Sequence, residues 1–341
     1  MGLLSFFNKE LAMDLGTANS IVIYNGQVVI DEPSVVALDK RTNKIIAVGM
    51  KAKEMEGRYS SDILETVRPL KNGVIADFEM AQHLIRELIG MTNVNRTILP
   101  PSLRMVICIP SGITNVEEKA VRESAQQAGA KEIRMIHEPM AAAIGIGIDV
   151  LKPEGHMIVD IGGGTAEIAV ISLGGIVCSN SVRVAGDAFN ENIMEYMRTN
   201  HSMVIGLRTA EEVKINVGSA LSQLDNEPED YCTLGRDLVT GLPKQIYISY
   251  KEMAHALGSS ITRIEQAILD TLSATPPELA ADIFRTGIFL AGGGSQLRGL
   301  DKRIAAKTNL EVHIADDPLR AVARGTGIAL KNFDRFQFLI R

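Results

Sequence analysis

Apolar residues in this chain fall into two kinds of run. Short, nearly continuous runs such as Arg104-Met-Val-Ile-Cys-Ile109 and Met157 to Val159 read as strands buried on both faces. Others recur every three or four positions and mark helices. Phe78, Leu84, Ile85, Leu88 and Ile89 make one such face over Phe78 to Met91. Val116, Ala120, Val121, Ala125 and Ala128 make the next. Thr114 and Glu117 form a capping box ahead of it, and Gly129 suits its C-terminus. Phe189, Ile193 and Met197 follow from Gly186, and Thr209 with Glu212 reads as a second capping box. Ser249 with Glu252 caps a helix whose later face is Ile261, Ile264, Ile268 and Leu272, until Thr275-Pro-Pro277 breaks it. A last helix is expected from about Leu319 to Leu330. Strands alternating with helices indicate an α/β chain.

The strongest single stretch is Ile158-Val-Asp-Ile-Gly-Gly-Gly-Thr-Ala-Glu-Ile-Ala-Val170. An apolar strand enters Asp160, three glycines turn the chain, and an alternating strand leaves it. Gly162, Gly163 and Gly164 carry no Cβ, so their N–H groups can approach a phosphate, and Asp160 is placed to hold Mg²⁺. A turn that only needs positive φ would also use glycine. The layout, however, occurs twice. Ala12-Met-Asp-Leu-Gly-Thr-Ala-Asn-Ser-Ile-Val-Ile23 aligns Asp14 with Asp160, and Tyr24-Asn-Gly-Gln-Val-Val29 aligns with Ser172-Leu-Gly-Gly-Ile-Val177. Such self-similarity indicates internal duplication, and two such hairpins would clamp a nucleotide polyphosphate between two similar domains. A third cluster, Gly292-Gly-Gly-Ser295, follows another apolar strand. Glu138 stands at a strand's exit, just ahead of Pro139 and an alanine-rich helix suited to very close packing, as at a joint between domains. It serves either as a helix-dipole partner or as an anchor for a water above the nucleotide.

Bulk properties narrow the class. A chain of 341 residues buries a substantial core and makes two domains. A net charge of −6 argues against a broad nucleic-acid surface. Cys108, Cys178 and Cys232 have no metal-ligand spacing, and the first two lie in strand-like runs as core residues. A reducing compartment is therefore expected. No run has the length of a membrane-spanning helix, and Met1 to Glu10 lacks the pattern of a signal peptide.

Asp14-Leu-Gly-Thr-Ala-Asn19, Asp160-Ile-Gly-Gly-Gly-Thr165 and Gly292-Gly-Gly294, in this order, resemble the actin/DnaK/sugar-kinase ATPase superfamily. Glu32-Pro-Ser-Val-Val, Arg68-Pro-Leu-Lys-Asn-Gly-Val-Ile-Ala-Asp77, His137-Glu-Pro-Met-Ala-Ala-Ala-Ile-Gly and Ala210-Glu-Glu-Val-Lys narrow the resemblance to the MreB family of bacterial actins. It runs from about Leu11 to Leu330. The resemblance implies an actin-like ATPase fold with two RNase-H-like α/β domains. Each carries a small inserted subdomain, and the nucleotide lies in the cleft. The first domain is expected to span residues 1–145 with 325–341, its insertion at about 33–76. The second is expected to span 146–324, its insertion at about 181–243.

By the same resemblance Gly16, Thr17, Ala18 and Asn19 form one phosphate loop, and Gly162, Gly163, Gly164 and Thr165 the other. Glu211, Glu212 and Lys214 border the adenosine, and Gly292, Gly293, Gly294 and Ser295 back the base and ribose. Asp14 and Asp160 organise Mg²⁺, through water, while Glu138 and Thr165 position the attacking water. The implied activity is Mg-dependent hydrolysis of ATP to ADP and phosphate, with GTP also accepted. The implied setting is the inner face of the cytoplasmic membrane. There, head-to-tail protofilaments paired antiparallel guide the proteins of cell-wall elongation and maintain rod shape. Apolar Met1 to Lys9 is the first membrane contact, and Val94, Ile98 and Leu99 in the loop Asn93 to Pro101 are a second. The tail from Asn332 is expected to dock on the first domain. The alternatives are a small-molecule kinase of the same fold, a plasmid-segregating actin or a division-type actin.

Overall fold

The computed structural model describes residues 8–60, 62–71, 73–92 and 102–340. Three strands open the chain: β1 (Asn8–Leu15), β2 (Asn19–Tyr24) and β3 (Gln27–Pro33). An insertion follows, made of β4 (Val36–Asp39), β5 (Lys44–Val48), α1 (Met50–Met55), β6 (Leu64–Val67), β7 (Leu70–Lys71) and β8 (Val74–Ile75). Next come α2 (Phe78–Met91), β9 (Ser102–Ile109), α3 (Asn115–Gln127), β10 (Ala130–His137) and α4 (Glu138–Ile146). A second set begins with β11 (His156–Ile161), β12 (Ala166–Ser172) and β13 (Gly175–Val182). It continues through α5 (Gly186–His201), β14 (Met203–Val204), α6 (Leu207–Val217), β15 (Tyr231–Asp237) and β16 (Pro243–Ile248). The chain then runs through α7 (Tyr250–Ala274), α8 (Pro277–Thr286), β17 (Ile288–Ala291), α9 (Leu300–Thr308) and β18 (Val312–Ile314) to α10 (Ala321–Lys331).

The duplication seen in the hairpins extends to both sheets. One five-stranded sheet has the order β10-β9-β1-β2-β3, and the other β18-β17-β11-β12-β13. In the first, β1 to β3 form an antiparallel meander, while β9 and β10 continue the sheet parallel to β1. In the second, β17 and β18 likewise run parallel to β11. The hairpin turns match as well. Asn25 and Gly26 have φ of 52° and 78°, and Leu173 and Gly174 have 51° and 72°. Two successive left-handed residues fit the twist of a two-residue hairpin. Asparagine and glycine take them readily, whereas Leu173 is strained there.

The chain divides into two compact units. One comprises Met1–Glu154, Ile171–Ile176 and Leu319–Arg341; the other comprises Gly155–Val170 and Val177–Pro318. The first unit's core holds Leu11, Met13, Leu84, Leu88, Met105 and Ile107, between its sheet and helices α2 and α3. On the sheet's other flank α4 crosses α10 at very short range. A Cβ on Gly145 would overlap the Ala321 carbonyl oxygen and lie 2.8 Å from its carbon. The close packing expected of the alanine-rich helix is thus used inside this unit. The tail docks here too. Phe333, Phe336 and Leu339 are buried, Ile340 exchanges two 2.9 Å backbone bonds with Met135, and Phe333 lies under Arg134 and Arg104. The second unit's core joins β11 and β12 to α5, α6 and α7 through Val159, Val170, Phe189, Val213 and Ile264. Its own three-stranded sheet, β14-β15-β16, lies beside α6 in sequence and contact.

Three local expectations change. Val116 is 79% exposed. It precedes Val121 by five residues, about 140° round the helix, so it leaves the stripe that Val121 and Ala125 bury. Phe78, the first residue of α2, is also exposed, and burial there begins at Met80. Thr209 caps nothing: α6 starts earlier at Leu207 after Gly206, and Glu212 pairs with Arg208 at 3.1 Å. The boxes at Thr114 and Ser249 form in full.

Candidate functional site

In the first unit, register brings the expected residues to one edge. Asp14 pairs with Cys108 across β1 and β9, and Ile109 with His137 across β9 and β10. The carboxyl-terminal ends of three parallel strands therefore carry Asp14, Ile109 and His137, with Glu138 as the first residue of α4. This edge is where open α/β sheets bind ligands. Gly16 to Ala18 make the turn between β1 and β2, and Asn19 begins the second strand. A Cβ on Gly16 would lie 2.6 Å from the Asn19 carbonyl oxygen, so the turn admits only glycine. Thr17 is buried, and its hydroxyl accepts from the Gly73 N–H at 3.2 Å. Ala18 and Asn19 are exposed, and the Asn19 amide donates to Asp31 at 3.2 Å. Asp14 is half-buried. Burial, then the Asp31 carboxylate, push its carboxyl up to about 7.

The second unit builds the corresponding edge. Asp160, 5% exposed, is the next-to-last residue of β11 and pairs with Ala291 at the end of β17. The turn Gly162 to Thr165 closes with the Gly162 N–H on the Thr165 carbonyl at 2.9 Å. The start of α5 holds this turn from behind: the Gly186 N–H donates to the Gly162 carbonyl at 3.1 Å, and the Asp187 N–H to the Gly163 carbonyl at 2.7 Å. Lys214 reaches the same place, donating to the Gly186 carbonyl at 3.2 Å and to Glu211 at 2.8 Å. Asn190, buried, donates to the same Glu211 oxygen at 2.6 Å. Glu211 and Lys214 thus join the glycine loop, whereas Glu212 stands apart with Arg208.

Gly292 and Gly294 press against β11. A Cβ on Gly292 would lie 2.5 Å from Asp160 Oδ1, and one on Gly294 3.0 Å from Ile161 Cβ. Gly293 opens the short 3₁₀ turn between them. Ser295 is fully buried, and its hydroxyl donates to the Gly292 carbonyl at 2.7 Å. Its side chain stiffens that turn.

Four contributors escaped sequence reasoning: Ser34, Gly73, Gly186 and Asn190. Ser34 donates to the Gly16 carbonyl at 2.6 Å, and its own N–H to the Ala18 carbonyl at 2.9 Å. Each acts through a partner 16 or more residues away in the chain, which no local pattern reveals. Ser34 and Gly73 do lie in stretches that carry the family resemblance, and Asn190 stands beside Phe189 on a helical face. Among the described residues no group of three or more His, Cys, Asp or Glu side chains is arranged to hold a metal, and no helix is long and apolar enough to cross a membrane.

Comparison with known proteins bears on this arrangement. The family described as MreB/Mbl protein matches residues 8–338. The cell shape-determining protein Mbl of Bacillus subtilis (strain 168) is 44% identical over 330 residues, covering 96% of this chain and 98% of its own length. The cell shape-determining protein MreB of Escherichia coli (strain K12) is 44% identical over 333 residues, 96% of this chain and 95% of its own. Among solved structures, MreB5 of Spiroplasma citri bound to AMPPNP superposes with a TM-score of 0.90 at 39% identity, over 96% of this chain and 97% of that one. A MamK double helical filament, at 23% identity over 95% of this chain and 99% of its own, shares the fold with a TM-score of 0.79.

Proposed function

The chain belongs to the MreB/Mbl family of actin-like ATPases, the polymerising bacterial actins of cell shape, and on that premise we propose that it binds Mg-ATP on the loops of both units and hydrolyses it to ADP and phosphate. The observation that carries this reading is the repeated edge. In each unit an acid is the next-to-last residue of the strand, a naked turn follows, and parallel strands finish alongside. The MreB5 structures bound to AMPPNP and to ADP support it by similarity. The small-molecule kinase alternative gains no support from these relatives.

The residues fit Mg²⁺. Asp14 is a desolvated carboxyl beside a second carboxylate, raised to about 7, and a divalent cation supplies the missing positive charge. A sparse carboxylate set matches an ion that keeps most of its waters and takes its other ligands from phosphate. Asp14 and Asp160 would hold it, and when bound it neutralises charge on the phosphates. The chain's own part is placement. The turns Gly16 to Asn19 and Gly162 to Thr165 offer N–H groups to phosphate oxygens. Glu138 accepts a hydrogen bond from the attacking water, and the Thr165 hydroxyl orients it. Glu211 and Lys214 border the nucleoside, with Gly292 to Ser295 behind it, whereas Glu212, expected beside them, is turned to Arg208. GTP is a second substrate in this reading.

Filaments at the inner face of the cytoplasmic membrane, paired antiparallel and serving the membrane proteins of wall elongation, complete the proposal. Of the expected membrane contacts, Met1 to Lys9 lies outside the described residues as far as Phe7, and Asn93 to Pro101 lies wholly outside them. β1 begins at Asn8 opposite Ser102, the first residue of β9. Deleting residues 2–8 should lower co-sedimentation with anionic liposomes, and unchanged binding would remove the first contact.

The central test compares wild type with Glu138→Ala on a lipid monolayer with Mg-ATP. Straight paired filaments in both are expected, with phosphate release reduced at least ~100-fold in the variant. Undiminished release would remove Glu138 from the mechanism. Sedimentation that is identical with ATP, with ADP and without nucleotide would break the coupling to assembly.

A further inference from the structure

The geometry points to Ser34 as the positioning residue that sets the polarity of the first phosphate loop, by turning the Gly16 carbonyl inward so that the Thr17 N–H faces the opposite way. This rests on the reading of Gly16 to Asn19 as a phosphate loop. Ser34 follows the end of β3, is fully buried, and contacts the loop twice. Its hydroxyl donates to the Gly16 carbonyl at 2.6 Å, and its backbone N–H donates to the Ala18 carbonyl at 2.9 Å. The Ser20 hydroxyl, also fully buried, lies 2.8 Å from the Ser34 hydroxyl.

The direction of this chain of bonds follows from proton count. A carbonyl only accepts, so the single Ser34 hydroxyl proton is committed to Gly16. Ser20 must therefore donate to Ser34, giving Ser20 O–H to Ser34 O–H to Gly16 C=O. Each bond polarises the next. The peptide joining Gly16 to Thr17 is planar and trans, as no peptide in the described structure is cis. Its C=O and N–H therefore point in opposite directions. Holding the oxygen inward commits the Thr17 N–H to the other side. Rotating this peptide changes ψ of Gly16 and φ of Thr17 together. Glycine accepts a wide range of ψ, so a partial turn of the carbonyl within the φ range open to Thr17 costs little once its partner is gone. Without Ser34 the loop can turn its carbonyl outward, and a carbonyl oxygen repels a phosphate where an N–H attracts it.

Ser20 supplies an internal control. Ser20→Ala removes one buried hydroxyl from the same spot but leaves the bond from Ser34 to Gly16 in place. Ser34→Ala removes that bond. Ser34→Cys fills nearly the same space with a weak donor, so it keeps the packing while holding the carbonyl poorly. The experiment is titration of full-length protein with a fluorescent ATP analogue in Mg²⁺, beside thermal melting without nucleotide. Ser34→Ala and Ser34→Cys should weaken binding about tenfold, the loss of one well-made hydrogen bond. Ser20→Ala should bind within about twofold of wild type while melting at a temperature similar to Ser34→Ala. Wild-type affinity in Ser34→Cys, or equal losses in Ser20→Ala and Ser34→Cys, would overturn the proposal. A wild-type protein that binds no nucleotide would instead overturn the phosphate-loop reading, and the proposal with it.

Discussion

The crossing of α4 and α10 gives the sharpest test of how the first unit is held together. At Gly145 an added Cβ would overlap the Ala321 carbonyl oxygen and stand 2.8 Å from its carbon and 3.0 Å from the Gly325 nitrogen. All three neighbours are backbone, so no side chain can swing away. Carbon atoms need about 3.5 Å, so the helices must part by at least ~0.7 Å along their whole contact. Overpacking of this kind costs ~1–3 kcal/mol, and a rigid backbone neighbour puts Gly145→Ala at the upper end. Alanine returns up to ~1 kcal/mol through helix propensity. The net loss is ~2 kcal/mol, or a drop of ~4–8 °C in melting temperature for a unit of this size. Gly258 sits inside α7 with nothing within 4 Å of its virtual Cβ. Gly258→Ala should therefore gain ~0.5–1 kcal/mol from propensity alone. The assay is urea unfolding of both variants beside wild type in the absence of nucleotide. A Gly145→Ala protein as stable as wild type, with Gly258→Ala stabilised as expected, would show that the two helices slide freely and that their closeness is incidental.

Other consequences follow from single residues. Leu173 occupies a left-handed turn position at φ 51° that Asn25 fills in the first hairpin, and it is exposed; Leu173→Asn should stabilise the protein by ~1 kcal/mol, read as a higher urea midpoint. Phe333 is 5% exposed, with the Arg134 guanidinium 3.9 Å from its ring centre; Phe333→Ala should cost ~3–5 kcal/mol and free the tail to proteolysis. The Asp14 carboxyl is raised from 3.8 to about 7, so between those values the folded state binds more protons than the unfolded one. This group's contribution to stability is then fully present below pH 4 and is lost as pH rises through 7. In metal- and nucleotide-free protein, Asp14→Asn should remove that loss, seen as a smaller fall in urea midpoint between pH 5 and 8 than wild type shows.

The hairpins and the naked turns were legible in the sequence because each is written in consecutive residues: an apolar entry, an acid, glycines, an alternating exit. The matching of Asn25-Gly26 with Leu173-Gly174 could be read for the same reason, although Leu173 takes the left-handed turn position without the side chain that suits it. What could not be read depends on segments that meet only after folding. Ser34 finds Gly16 through the return of β3 past β2, and Gly145 finds Ala321 across most of the chain. Thr209 failed as a cap for a different reason. Its spacing to Glu212 is right, but Leu207 already continues a helix that Gly206 begins, and Arg208 offers Glu212 a charged partner on the next turn.

The third glycine cluster shows why a motif and its function have to be argued separately. The family resemblance assigns Gly292 to Ser295 to the back of a base and ribose. Yet a side chain on Gly292 would press on Asp160 Oδ1, and one on Gly294 on Ile161. Packing against β11 alone requires glycine at both positions, and the buried Ser295 hydroxyl is spent on the Gly292 carbonyl. A nucleotide is therefore not needed to explain these residues. Gly162 differs: a Cβ there would meet the Thr165 carbonyl at an ordinary 3.5 Å, so packing does not demand glycine at that position. Alanine at Gly162 should thus be tolerated by the fold and felt by the ligand, whereas alanine at Gly292 should first be felt by the fold. Melting temperature without nucleotide, set against nucleotide affinity, separates the two, and a Gly162→Ala protein that melts well below wild type would return that turn to a purely structural role.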